Sequence, residues 1–219
     1  MVATSRSLRD ELVNFLTYLV ASEIALYANH VSGDGDQVSW KAPGSKFLEE
    51  RRKQTYANYR SWLENGAYSA LLFDGALLQI TYRFAGRTLI EHRLAWVPSP
   101  FAMDLELLNN ESPVDVFDMY AAGPSSDVEL KTPIHFDFDP ARAADDHPTT
   151  HVSLNSSDCR IACAAPLRLG HFVEFVFRNF YPDVWGAHKY LHDLSREPWG
   201  EQTITKVEAS QVHLSWAQY

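Results

Sequence analysis

The chain has 219 residues, 46% apolar and 21% charged, with 19 Lys and Arg against 28 Asp and Glu for a net charge of −9. That length suits one large domain, and the acidic balance argues against general nucleic-acid binding, which needs clustered Lys and Arg on one face. No run of about eighteen apolar residues could span a membrane, and Met1–Val13 lacks an uninterrupted apolar core before a cleavage site, so a cytoplasmic protein is expected.

Helical spacing opens the chain. Ser7 with Asp10 three residues on reads as a variant capping box, and Leu8, Leu12, Phe15, Leu19 and Leu26 form one stripe that carries the helix to about Asn29. Val31–Trp40 is rich in Gly and Asp; without the bidentate Glu of a calcium loop it reads as a simple turn. A second helix is expected from Ser45 to the Asn65-Gly66 stop. Its charged run Glu49–Lys53 reads as a solvated face with helix-neighbour ion pairs rather than a phosphate contact from Arg51 and Arg52.

From Tyr68 the period falls to two. Asp74-Gly75 suits a two-residue type I′ hairpin turn, Ala85-Gly86 makes the next turn, and Arg87–Trp96 is a third strand ended by Pro98 and Pro100. His92 shares the side of Ile90 and Leu94 and reads as a hydrogen-bonded core histidine. Residues 101–127 look irregular, with a short helix after Ser112 because Pro113 suits the first helical position.

The chemistry concentrates in Ile134–Asn155. Ile134, Phe136 and Phe138 alternate with His135, Asp137 and Asp139, and Val152 and Leu154 alternate with His151, Ser153 and Asn155, so two strands each have one apolar and one polar face. Pro140–Thr150 between them is a charged, breaker-rich loop carrying His147. If the strands pair with their faces matched, Asp139 lies opposite His151, Asp137 opposite Ser153 and His135 opposite Asn155. A further strand is expected around Arg160–Ala164. Cys159 and Cys163 within this stretch would stand roughly 13 Å apart on a strand, too far for a disulfide, and read as free thiols. The helix His171–Asp183 is apolar nearly all round and should bury Phe136, Phe138, Val152 and Leu154 beneath Phe172, Val176 and Phe180. His188 and His192 lie one helical turn apart but lack a third metal ligand.

The expected fold class is therefore α+β: helices over 1–66, a meandering antiparallel sheet over 67–165, and C-terminal helices over 166–219 packed on the sheet. Four motifs in this order, Glu91–Phe101 (EHRLAWVPSPF), HFDFDP with HPTTH, CRI, and Phe172–Pro182 (FVEFVFRNFYP), resemble the bacterial family known as domain of unknown function 2290. The resemblance spans roughly residues 8–216; it implies a single-domain bacterial protein and brings no activity, cofactor or site residue.

Two functions from different classes fit the residues. In the first, the chain is a hydrolase of a phosphodiester or similar ester. His135, Asp137 and His151 would hold Zn²⁺ or Mn²⁺; His135, Asp137 and Asp139 span about 13 Å on a straight strand, so all three could join one ion only if the strand bends. Without metal, His135 and His151 would be general base and acid, Asp139 would orient His151, and Arg160 or Arg93 would meet developing negative charge. Asp137, His147, Asn155 and Arg93 would bind the substrate. In the second, the chain is a non-catalytic partner or binding module of a multi-protein bacterial system, and the same residues form a hydrogen-bonded network that fixes the hairpin. No P-loop, GxGxxG, GxSxG or HExxH occurs.

Overall fold

A computed structural model describes residues 4–32, 36–40, 55–124, 128–129, 131–154, 159–197 and 199–216. Helix α1 (Ser5–Ala21) starts one turn earlier than the Ser7 signal suggests. Thr4 is the cap, and Ser7 occupies the third helical position of a capping box, each side chain accepting the other's backbone N–H. The helix also stops at Ala21, well short of Asn29. Ile24 N–H reaches back to Leu19 and Glu23 N–H to Val20, a Schellman turn with Glu23 at φ 58 where glycine is usual. The freed segment becomes a strand, β1 (Ala25–Ala28), and the Gly/Asp stretch becomes a hairpin of β2 (Val31–Ser32) and β3 (Gln37–Trp40). The N-terminal third is therefore not purely helical. Helix α2 (Tyr56–Glu64) begins after an extended Thr55, whose side chain caps Asn58 N–H. The expected start at Ser45 and the charged run Glu49–Lys53 lie outside the described residues.

The meander follows as expected, from β4 (Ala70–Leu72), β5 (Leu77–Ala85) and β6 (Thr88–Val97) to β7 (Ile134–Phe138), β8 (Thr150–Leu154) and β9 (Arg160–Ala162). Every ladder in the nine-stranded sheet is antiparallel, with β1 on the open side of β4 and β3 beside the far half of β5. Asp74-Gly75 is not a two-residue type I′ turn. The loop spans Phe73–Gly75 and only Gly75 takes a positive φ, +85, with Leu72 N–H bonded to the Ala76 carbonyl. Tyr59 donates to the Gly75 carbonyl and Tyr181 to Asp74, so this turn is clamped from both sides.

Period-two patterning gives the sheet two covered faces. Leu78, Ile80, Tyr82, Leu94, Trp96, Phe136 and Val152 pack with Leu8, Leu12 and Phe15 of α1 and with Phe172, Val173, Val176 and Phe177 of α5 (Leu169–Phe180). On the opposite face Leu77, Ala95 and Val97 pack with α2, α3 (Leu105–Asn110) and α4 (Pro113–Ala121), the last begun by Pro113 as expected. Phe136 meets Phe172 and Phe175 edge-on at 6.4 and 4.9 Å, as a core hairpin under α5 requires. Phe180 differs: it is 37% exposed and stacks on Trp96 at 4.1 Å. The chain continues through α6 (Pro182–Ala187) and α7 (Lys206–Ala209). No helix among the described residues is long and apolar enough to cross a membrane.

His92 is a core histidine. It is fully buried, and its Nε2 accepts the Leu167 N–H at 2.9 Å, tying β6 to the chain entering α5. Burial pushes its pKa from 6.5 down to about 3, helped by the charge of His151 and opposed by the Phe136 backbone.

Two expectations follow from this packing. Phe177→Ala should lower the urea-unfolding free energy by about 3–5 kcal/mol, whereas Phe180→Ala should cost no more than about 1.5 kcal/mol; equal losses would contradict the assigned faces. Folded His92 stays neutral where the unfolded chain already binds a proton, so its contribution is full above pH 6.5 and declines as pH falls toward about 3. The His92→Gln variant should therefore show a shallower loss of stability between pH 6.5 and 4, by about 1.4 kcal/mol per pH unit for one proton; an unchanged slope would contradict it.

Candidate functional site

The polar face of the β7–β8 hairpin lies on the same side of the sheet as α2 and α4. Alternation sends Phe136 and Phe138 toward α5, so His135 and Asp137 must point the other way. The register is Asp137↔His151 and His135↔Ser153, two residues from the expected one. The faces still match because the shift is even. The reason lies in the turn. Asp139 leaves the strand to cap a 3-10 turn over Pro140–Arg142; its carboxylate accepts Ala141 N–H at 3.1 Å and sits 3.3 Å from Arg142 Nε. Its own N–H donates to the Thr149 carbonyl, which closes the loop at Thr149. Asp139 therefore does not orient His151.

Three side chains do converge. Asp137 Oδ2 stands 3.7 Å from His135 Nε2 and 3.7 Å from His151 Nε2. The side chains are 8% exposed for His135, 5% for Asp137 and 1% for His151, so the cluster is enclosed rather than solvent-reachable. His151 Nδ1 lies 2.9 Å from the Pro148 carbonyl, which can only accept, so Nδ1 carries a proton. His147 packs edge-on against the His151 ring at 4.8 Å from the hairpin loop.

The neighbouring strands extend the polar face. Arg93 is the register partner of Asp137 across β6, and its Nε binds Glu91 at 3.0 Å. Glu91 also holds Arg83 of β5 at 2.5 Å, so Arg93 shares an ion-pair network that spans β5 and β6. Thr81, opposite Arg93, hydrogen-bonds Ser39 at 3.0 Å. Arg160 sits opposite Ser153 on β9, half-buried, with its Nε lacking a hydrogen bond among the described residues. Asn155 lies outside the described residues. The extension of this polar row through Ser39, Thr81 and Glu91 was not singled out from sequence; strand alternation was its only signal.

No group of three His, Cys, Asp or Glu side chains among the described residues is placed to hold a metal ion. His188 and His192 do not share a ligand. His188 Nδ1 meets the Tyr18 hydroxyl at 2.9 Å, while His192 stacks on Trp185 at 3.9 Å and donates to its carbonyl at 2.8 Å. Cys159 and Cys163 are both free thiols; Cys163 is buried, and burial pushes its pKa up to about 12.

A second feature had no local sequence signal. A cavity of about 700 Å³ opens between β1 and its approach (Val20, Glu23, Tyr27), α3 (Leu105, Asn109) and His188.

No curated protein and no solved structure matches the chain. The family model described as uncharacterized conserved protein (DUF2290) matches residues 21–216, from the end of α1 through the last described bridge at Leu214, and the chain belongs to that family.

Proposed function

We propose that this chain is a non-catalytic binding module of a multi-protein system in the bacterial cytoplasm, in which the His135–Asp137–His151 cluster braces the β7–β8 hairpin. The enclosure of the cluster supports this reading: side chains exposed by 8% or less leave no room for an ester substrate to meet both imidazoles. A carboxylate with so little access to water needs a cationic or hydrogen-bonding neighbour, and the imidazoles on either side supply one. One open concave surface lies away from the cluster, beside β1.

The hydrolase reading keeps one observation in its favour: two imidazole nitrogens converge on a single carboxylate oxygen, with Arg93 and Arg160 at adjacent register positions. In that reading His135 and His151 would act as base and acid without metal, and Arg160 or Arg93 would meet the negative charge.

One variant separates the two. His151→Ala should lower Tm by several degrees, as about 1–2 kcal/mol lost from a hydrogen-bonded network would do in a domain of this size. The wild-type protein should not turn over bis(4-nitrophenyl) phosphate. Turnover by the wild type that disappears in His151→Ala at unchanged Tm would overturn the binding-module reading.

A further inference from the structure

We infer that the groove beside β1 takes an extended, basic segment of a partner protein, which adds as a strand to the open edge of the sheet and sets a Lys or Arg against Glu23. The inference rests on the binding-module reading and names the surface and the partner chemistry.

Three observations carry it. First, β1 closes one end of the sheet, with β4 as its only neighbour among the described residues. An edge strand presents backbone donors and acceptors that an extended chain satisfies. Among the described residues this edge forms one wall of a cavity of about 700 Å³ whose other wall is α3. Second, the groove has a lining of mixed polarity whose large apolar side chains are open to solvent. Val20, Tyr27 and Leu105 are 41%, 46% and 45% exposed, and all three line it. Alternate side chains of an added strand would rest on them while its backbone pairs with β1.

Third, Glu23 lines the groove with φ 58, the one non-glycine residue in the left-handed region among the described residues. A left-handed glutamate strains a turn that glycine would make freely, and strain of this kind gathers where a side chain serves a ligand. The Schellman turn needs only the backbone of this residue, so its carboxylate is surplus to the fold. A carboxylate beside exposed apolar side chains favours a cation over an anion.

Charge also decides between occupants. A second copy of this chain would bring another net charge of −9 and set Glu23 near its own kind, whereas a basic foreign segment is drawn in.

The test uses the full chain and fluorescein-labelled synthetic peptides of alternating Val and Thr with a central Lys. Control peptides carry Glu in place of Lys, or Pro at alternate positions so that no strand can form. Fluorescence anisotropy should show binding of the Lys peptide, with the Glu peptide weaker and the Pro peptide silent. Hydrogen exchange should slow at Ala25–Ala28 when the Lys peptide is added. Glu23→Gly, which suits the backbone and should leave Tm equal or higher, should weaken Lys-peptide binding a few-fold. Glu23→Lys should weaken it about fivefold and strengthen binding of the Glu peptide.

Binding that ignores the Pro substitutions or Glu23, or leaves exchange at β1 unchanged, would overturn the inference. So would no peptide binding at all, or a dimer in sedimentation that protects β1 by itself. The binding-module reading survives each of these results, because it falls only to His151-dependent turnover.

Discussion

A carboxylate removed from water needs partners, and Asp137 has an imidazole on each side of it. Much of the central sheet is consistent with that one requirement. His135 precedes Asp137 by two residues, so the same pleat aims both at one face. His151 joins them only if β7 and β8 pair as Asp137↔His151. A slip of one residue would drive His135 and Asp137 into the aromatic packing under α5 and lift Phe136 and Phe138 off it. The apolar face and the polar cluster thus specify each other's register. Beneath them, neutral His92 ties β6 to Leu167, so the strand beside the cluster is fastened to the α5 side as well.

The parts of the fold legible in the sequence are those where one period dominates. The meander β4–β9, the buried α5 and the core role of His92 all follow from alternation or helical spacing. The short N-terminal strands do not. Ile24 and Leu26 fit a helical stripe as well as a strand, and the residue that ends α1 is a glutamate in a position where glycine would have announced the stop. The two-residue error in the hairpin register came from treating Asp139 as strand. Asp139-Pro140 is a cap followed by a proline at the first position of a turn, a pattern that places the strand end at Phe138. Burial of the candidate site was illegible for a different reason. Period two says which residues share a face, but not whether something lies over that face.

Cluster and groove are separate devices on one sheet. Strands β4, β5 and β6 lie between β1 and β7, so changes at Glu23 and at Asp137 should act independently. This division suits a binding protein. The central strands hold a polar network that fixes pairing, and the exposed edge, where strain is tolerated at a single turn, is left for another chain.

The brace is tested most directly by a double-mutant cycle on Asp137 and His151, measuring unfolding free energies of Asp137→Asn, His151→Gln and the double variant at pH 7. If the two side chains stabilise the hairpin through each other, the cycle should return a coupling of about 1–3 kcal/mol, with the double variant losing less than the sum of the singles. Additivity within about 0.5 kcal/mol would show that the pair does not hold the hairpin together, and the central claim would fail.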